Sequence, residues 1–126
     1  MKTALDLVSA AKAHIREVTL AEADAALAAA DVLIDVREPD EYAQGHLPGA
    51  INLPRGLLEF KLSGHPTLER RDQAVVLYCK NSGRAALSAL SLQAMGYLDV
   101  VSISGGFDAW QAAGKPVVKP STPQFG

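Results

Sequence analysis

Cysteine is scarce in this sequence, since Cys79 is the only one among 126 residues. A single cysteine excludes an intrachain disulfide framework and a cysteine-rich zinc site. The 12 basic and 14 acidic residues leave a formal net charge of −2, which argues against a strongly basic nucleic-acid binder. The three histidines are scattered without the spacing of metal ligands, so we expect no bound metal.

Long apolar runs are also missing. Near the start of the chain, Asp6 interrupts the apolar stretch and Lys12 follows soon after. A signal peptide needs an uninterrupted apolar run of about 7–15 residues, and a membrane span needs about 20. We therefore expect no export signal and no membrane partner, and we expect a reducing cytoplasm, in which a free thiol survives.

What the sequence does contain is an alternation of helical and strand patterns. Apolar spacing, capping residues and Gly or Pro breaks predict helices over residues 4–15, 20–29, 40–43, 84–95 and 106–113. Short apolar runs rich in β-branched residues predict strands over 31–36, 50–53, 74–78 and 100–103. Residues 54–73 read as a mixed segment with a helix beginning at Pro54. This length and alternation predict one α/β domain with a mostly parallel sheet of about five strands and helices on both faces.

The candidate functional group is the thiol of Cys79, which directly follows the clearest strand. In open parallel sheets, ligands bind beyond the carboxyl ends of the strands. We expect the amides of Lys80, Asn81, Ser82, Gly83 and Arg84 to converge on an anion, because they lead into a helix and lack intrahelical acceptors. Lys80 and Arg84 add positive charge, and these conditions favour the nucleophilic thiolate. The alternative is that Cys79 is a small buried apolar residue, as free cysteines often are.

Four ordered segments of this sequence resemble the rhodanese-like sulfurtransferase domains. They are Leu33-Ile34-Asp35-Val36-Arg37-Glu38, the stretch from Glu41-Tyr42 to Gly45-His46-Leu47-Pro48-Gly49-Ala50-Ile51-Asn52-Leu53-Pro54, the loop from Cys79 to Arg84, and Gly105-Gly106-Phe107-Asp108-Ala109-Trp110. The resemblance implies a three-layer rhodanese-like domain over residues 18–118. The helical spacing before it predicts a helical extension over 1–17, and the prolines after it favour an extended or disordered tail over 119–126. It also implies that Cys79 is a nucleophile that becomes a persulfide within a cradle of the amides of residues 80–84.

The length of the loop favours sulfur chemistry within this resemblance. Cys79 to Arg84 spans six positions, whereas the related cell-cycle phosphatases carry one residue more, in a ring wide enough for a phosphate. This loop departs from the common family pattern, because Ser82 stands where many members have glycine, Gly83 comes one position later, and Ala85 replaces a hydroxyl residue. The backbone cradle itself does not depend on these side chains.

Other residues favour structural roles. Asp35 and Arg37 end a strand near the site, where an ion pair that fixes the strand end is the preferred interpretation over the steering of an anionic donor. We expect His46 to make structural hydrogen bonds and Trp110 to lie in the core. We also expect the pair Gly105-Gly106, which opens the last helix, to allow a close backbone approach. In the helix over 84–95, the spacing predicts that Leu87, Leu90 and Ala94 face inward.

The resemblance implies a sulfurtransferase that moves a sulfane sulfur from thiosulfate or a persulfide donor to cyanide or a thiol. This chemistry requires no metal or organic cofactor, so we expect none. The alternative is a sulfur-carrier or binding module without turnover, which would serve a protein donor or acceptor. Phosphate-ester or arsenate chemistry in the same loop is a third hypothesis. The N-terminal helix is expected to pack back on the domain or to make a homodimer contact, so both a monomer and a homodimer remain open.

Overall fold

Short apolar segments form the central sheet of the computed structural model, which describes residues 1–120. The strands are β1 (Arg16–Val18), β2 (Val32–Asp35), β3 (Ile51–Asn52), β4 (Ala74–Tyr78) and β5 (Asp99–Ile103). They pair in the order β1-β5-β4-β2-β3, and every pairing is parallel. The α/β class and the count of about five strands are confirmed, and the sheet is parallel throughout.

Helices cover both faces of this sheet. They are α1 (Ala4–Lys12), α2 (Leu20–Ala29), α3 (Pro39–Gln44), α4 (Leu58–Leu62), α5 (Gly83–Ala94) and α6 (Gly106–Ala112). One core cluster joins α4 and α5 to one face, and a second joins α2 and α6 to the other. α1 packs on α5, which is the first of the two arrangements expected for the N-terminal helix. No helix among residues 1–120 is long and apolar enough to cross a membrane.

Alternation along β4 decides which face Cys79 belongs to. Leu77 lies in the core cluster with α5, and Tyr78 lies in the cluster with α2 and α6. Because successive strand side chains point to opposite faces, Cys79 returns to the face that α5 covers. Its side chain therefore packs under the helix that its own loop begins.

The N-terminal part of the chain differs from the prediction. The helix predicted over 4–15 ends at Lys12, and β1 follows as an edge strand that pairs with β5. β1 has only three residues, two of them charged, so it carries no apolar run that would indicate a strand. It lies across the boundary placed between residues 17 and 18. Of the tail over 119–126, residues 121–126 lie outside the described part of the chain.

The inward face of α5 was predicted wrongly. Its buried residues are Ala85, Ala86, Ser88, Ala89 and Leu92. Leu90 is exposed, and Ala94 is exposed as well. Small side chains let α5 lie close to the sheet on one side and receive α1 on the other. A prediction that turns the larger apolar residues of α5 inward therefore selects the wrong face of the helix.

Candidate active site around Cys79

Cys79 lies directly after β4, where parallel-sheet chemistry was expected, but its side chain is fully buried. It is a free thiol, and it packs with Leu77, Ala85 and Ala89 in the core cluster under α5. With no exposed surface, the side chain is not accessible from the crevice beyond the strand ends, where ligands of such sheets bind. Burial alone would also fit a structural cysteine, so the contacts of the sulfur decide between the two interpretations.

The sulfur receives a backbone hydrogen bond. The amide of Ala85 donates to Sγ of Cys79 at 3.4 Å. Ala85 is the third residue of α5, and the amides of a first helical turn have no intrahelical acceptor. This donor lies one residue beyond the predicted cradle over 80–84, and counting the first turn from Gly83 would have found it. The N-terminus of α5 is therefore directed at the sulfur.

Within residues 1–120, three further amides of the loop have no hydrogen-bond acceptor. They belong to Lys80, Asn81 and Arg84. The amides of Ser82 and Gly83 are used differently, because they donate to Oδ1 of Asn81 at 2.7 Å and 3.3 Å. The predicted cradle thus divides into three available donors and two that the Asn81 side chain holds.

Helix α6 sets the direction of the first two available amides. The amide of Phe107 donates to the carbonyl of Cys79 at 2.8 Å, and that of Asp108 donates to the carbonyl of Lys80 at 2.9 Å. In a trans peptide the N–H points opposite to the C=O, and residues 1–120 contain no cis bond. The amides of Lys80 and Asn81 therefore point away from α6.

The close approach predicted at Gly106 is present. A Cβ built on Gly106 would lie 2.5 Å from the carbonyl oxygen of Cys79, and it would also collide with the carbonyl of Asn81. Gly106 has φ +54°, a left-handed conformation that favours glycine. Only glycine lets the backbone of α6 come near enough to bind the loop carbonyls.

Both loop cations are paired with carboxylates. Arg84 donates from its two terminal nitrogens to Glu41 of α3, at 2.7 Å and 3.1 Å. This contact lowers the pKa of the Glu41 carboxyl to about 2 and raises the pKa of the Arg84 guanidinium. Lys80 is exposed and pairs with Asp108 at 3.0 Å. The positive charge expected beside the sulfur is therefore largely neutralised.

Asp35 and Arg37 form the buried ion pair that was the preferred interpretation, with 2.7 Å between Oδ2 and Nη2. The Tyr78 hydroxyl also donates to Asp35, at 2.7 Å. Burial and the Asp35 charge raise the pKa of Tyr78 well above its usual range. Arg37 lies 4.3 Å from the ring centre of Phe107, the residue whose amide holds Cys79. Within residues 1–120 neither residue hydrogen-bonds to the sulfur, and the pair adjoins the site through Tyr78 and Phe107.

The remaining candidates are structural. His46 is buried, stacks on Tyr42 with ring centres 3.9 Å apart, and places Nδ1 2.8 Å from the carbonyl of Leu47. Trp110 lies in the core, as expected. Among residues 1–120, no group of three His, Cys, Asp or Glu side chains is placed to hold a metal ion.

One contact at the loop was not foreseen from the sequence. Nζ of Lys12, at the end of α1, donates to the hydroxyl of Ser82 at 2.8 Å. The two residues are 70 positions apart, and no local pattern links them. The N-terminal extension therefore reaches the loop of Cys79.

Comparisons with known proteins agree with this architecture. The rhodanese-like domain family model matches residues 19–113. A sulfurtransferase from Allochromatium vinosum is 37% identical over 89 residues, which cover 71% of this chain and 79% of that protein. The structure of a protein of unknown function from Rhodopseudomonas palustris, described as a possible tyrosine phosphatase, matches with a TM-score of 0.85 and 34% identity. That match covers 94% of this chain and 96% of the other.

A human single-domain sulfurtransferase also matches, with a TM-score of 0.70 and 27% identity, over 76% of this chain and 95% of that one. The family match extends from just before α2 to just after α6, and it includes the whole loop of Cys79. The chain therefore belongs to the rhodanese-like domain family.

Proposed function

We propose that this protein is a sulfurtransferase that carries a sulfane sulfur as a persulfide on Cys79. The donor is thiosulfate or another persulfide, and the acceptor is cyanide or a thiol. The observation that carries the proposal is the Ala85 amide at Sγ, in a loop whose Lys80, Asn81 and Arg84 amides have no acceptor within residues 1–120. A backbone donor at the sulfur, with further free amides in the same loop, favours negative charge there.

The proposed reaction consists of two displacements. The Cys79 thiolate attacks the outer sulfur of thiosulfate, a new S–S bond forms, and the old S–S bond breaks with its electron pair on the departing sulfite. The persulfide then carries its negative charge on the outer sulfur, within reach of the loop amides. Cyanide attacks that sulfur, the S–S bond to Cys79 breaks, and thiocyanate leaves while the thiolate is restored. The two steps balance without an added oxidant or reductant.

Burial of Cys79 sets a condition on this reaction. Because the side chain is fully buried, a donor reaches Sγ only when the side chains or the loop that cover it shift. None of the loop residues 80–84 is buried, so a local shift of the loop costs less than opening the core. The proposal therefore includes a local opening before each displacement.

The hydrogen bonds of the loop favour a sulfur atom over a phosphate group. The amides of Ser82 and Gly83 donate to the Asn81 side chain, so two of the loop amides are not free to bind a ligand. A phosphoryl group presents three oxygens that each need donors, whereas a persulfide presents one sulfur. We therefore expect no phosphatase activity, although one structural relative is described as a possible tyrosine phosphatase.

The test compares the wild-type protein with Cys79→Ser and Cys79→Ala. With thiosulfate and cyanide, the wild type should form thiocyanate, and incubation with thiosulfate alone should add the mass of one sulfur. Both variants should lose the activity and the added mass while circular dichroism shows an unchanged fold. Thiocyanate formation by both variants would refute the mechanism, and rapid hydrolysis of an aryl phosphate by the wild type would refute the assignment to sulfur chemistry.

A second candidate is a sulfur carrier that receives its sulfur from a protein. The pairing of Arg84 with Glu41 and of Lys80 with Asp108 favours it, because a free dianion such as thiosulfate then meets no unpaired loop cation. Intact mass distinguishes the two. A gain of one sulfur from a persulfidated protein donor, without a gain from thiosulfate, indicates the carrier.

A further inference from the structure

Helix α1 lies outside the residues that match the family, yet it contacts the loop of Cys79. Its last residue, Lys12, donates from Nζ to the Ser82 hydroxyl at 2.8 Å. One turn earlier in α1, Val8 lies close to Gly83, the loop residue after Ser82. A Cβ built on Gly83 would lie 3.5 Å from Cγ2 of Val8. Two residues of the extension therefore meet two consecutive residues of the loop.

The charge of Lys12 is part of this contact. Glu17 of β1 lies 3.7 Å from its Nζ, too far for a hydrogen bond but near enough for attraction. Oε2 of Glu17 is buried and has no hydrogen-bond partner within residues 1–120. The ammonium group of Lys12 therefore offsets the negative charge of this buried oxygen. Glu17 pairs in register with Ser102 of β5, and alternation from Val100 places both on the face that holds Cys79. Within residues 1–120, an uncharged side chain at position 12 would leave this carboxylate with no cation within 4.0 Å.

Lys12 contacts the loop through Ser82. Its amide is held by Oδ1 of Asn81 at 2.7 Å, and its hydroxyl is held by Lys12. Ser82 precedes α5, and its φ of −153° and ψ of −12° turn the chain into the helix without a side-chain cap. The direction of the Arg84 and Ala85 amides depends on where this turn lies, because both follow it within three residues.

We propose that Lys12 is a positioning residue for sulfur transfer. Its ammonium group fixes Ser82, and Ser82 in turn fixes the turn that directs the amides of Arg84 and Ala85 at the sulfur. This inference rests on the proposed function and assigns to the N-terminal extension a part in the site. It differs from binding of the donor by a free cation, since Lys12 acts through the loop.

The kinetic test uses Lys12→Met, which removes the charge and keeps the stem. Lys2→Met is the matched control, because Lys2 is an exposed lysine of the same N-terminal segment and its substitution changes the net charge equally. We expect kcat/KM with thiosulfate and cyanide to fall about tenfold in Lys12→Met, the effect of one hydrogen bond to a charged group, and to stay unchanged in the control. Lys12→Arg should restore it to within about threefold. Equal activities of Lys12→Met and Lys2→Met would overturn the proposal.

Two further comparisons separate positioning from other roles. Ser82→Ala should lower kcat/KM like Lys12→Met, and the double variant should lose no more than either single one. Losses that multiply would show that Lys12 does not act through Ser82. The penalty should also persist in about 0.5 M salt, because the acceptor is a neutral hydroxyl. Its disappearance in salt would mean that Lys12 attracts the donor directly, and the positioning role would be wrong.

Hydrogen exchange tests the same idea without any turnover. The amides of Ser82 and Gly83 should exchange about tenfold faster in Lys12→Met than in Lys2→Met, because the turn loses its anchor. Unchanged exchange would overturn the proposal. If the wild type transfers no sulfur, the proposed function fails by itself, and the exchange rates still decide whether Lys12 fixes the loop.

Discussion

Replacing Gly106 by alanine tests whether α6 holds the loop of Cys79. The new Cβ would lie 2.5 Å from the carbonyl oxygen of Cys79, so the helix and the loop must move apart. That movement breaks the hydrogen bonds from the amides of Phe107 and Asp108 to the loop carbonyls, which measure 2.8 Å and 2.9 Å. The substitution therefore perturbs the backbone of the candidate site without touching a reactive side chain.

The expected magnitude has two parts. An alanine at φ +54° carries a left-handed backbone penalty of about 1–2 kcal/mol. The loss of two backbone hydrogen bonds adds about 1 kcal/mol each, for a total of about 3–4 kcal/mol. Gly114→Ala is the matched control, because Gly114 has φ +72° and a Cβ there would meet nothing within 4 Å. The control should lose only the first part, and any entropic gain in the unfolded chain is common to both variants.

Urea denaturation of the wild type and the two variants measures these differences. We expect Gly106→Ala to be less stable than Gly114→Ala by about 2 kcal/mol. Its sulfur transfer, assayed where both variants are folded, should fall much further than that of the control. If the two variants have equal stability and equal activity, α6 does not hold the loop, and the assignment of amide direction is wrong.

Three other substitutions probe the ion pairs and the buried hydrogen bonds around the site. Glu41 has a folded pKa of about 2, below its ordinary 4.5, so its pairing with Arg84 stabilises the protein above about pH 4.5 and is lost as the pH falls towards 2. Because the pair is partly exposed, Glu41→Gln should lower the free energy of unfolding by about 1 kcal/mol at pH 7 and by almost nothing near pH 2, and a pH-independent difference would contradict this. Asp108→Asn releases Lys80 and should raise kcat/KM for thiosulfate about twofold at low salt only, as kinetics at two ionic strengths would show. Tyr78→Phe removes a hydroxyl with two buried hydrogen bonds and should cost about 2 kcal/mol in urea denaturation, and a loss under about 0.5 kcal/mol would refute its buried role.

Much of the sheet was predictable because its inner strands carry a local signal. The apolar runs of β2 and β4 are buried on both faces, so nearly every residue is apolar, and four of the nine are Val or Ile. β1 carries no such signal, since it is an edge strand of three residues that β5 holds in place. Residue size could not predict which residues of α5 are buried, because α5 packs against both α1 and the sheet and its buried residues are mostly small.

The candidate site was predictable where it depends on position in the chain. A cysteine at a strand end before a helix places its sulfur near unpaired amides, whatever the rest of the fold does. The carboxylate partners of Arg84 and Lys80 lie 43 and 28 residues away, and only the folded chain brings them together. Lys12 is a case of the same kind, because its contact with Ser82 needs the packing of α1 on α5.

The charges and the amides of the site therefore contribute different amounts of free energy. A partly exposed ion pair contributes about 0–1 kcal/mol, whereas a hydrogen bond to a charged group contributes about 1.5–3 kcal/mol. Lys80 is exposed and paired with Asp108, so removing its charge should have little effect on the electrostatic environment of the sulfur. In the arrangement we propose, α6 holds the loop carbonyls on one side and Lys12 holds Ser82 on the other, and together they keep the Ala85 amide directed at Sγ of Cys79. Substitutions that move this backbone should consequently cost more sulfur transfer than substitutions that remove its nearest charges.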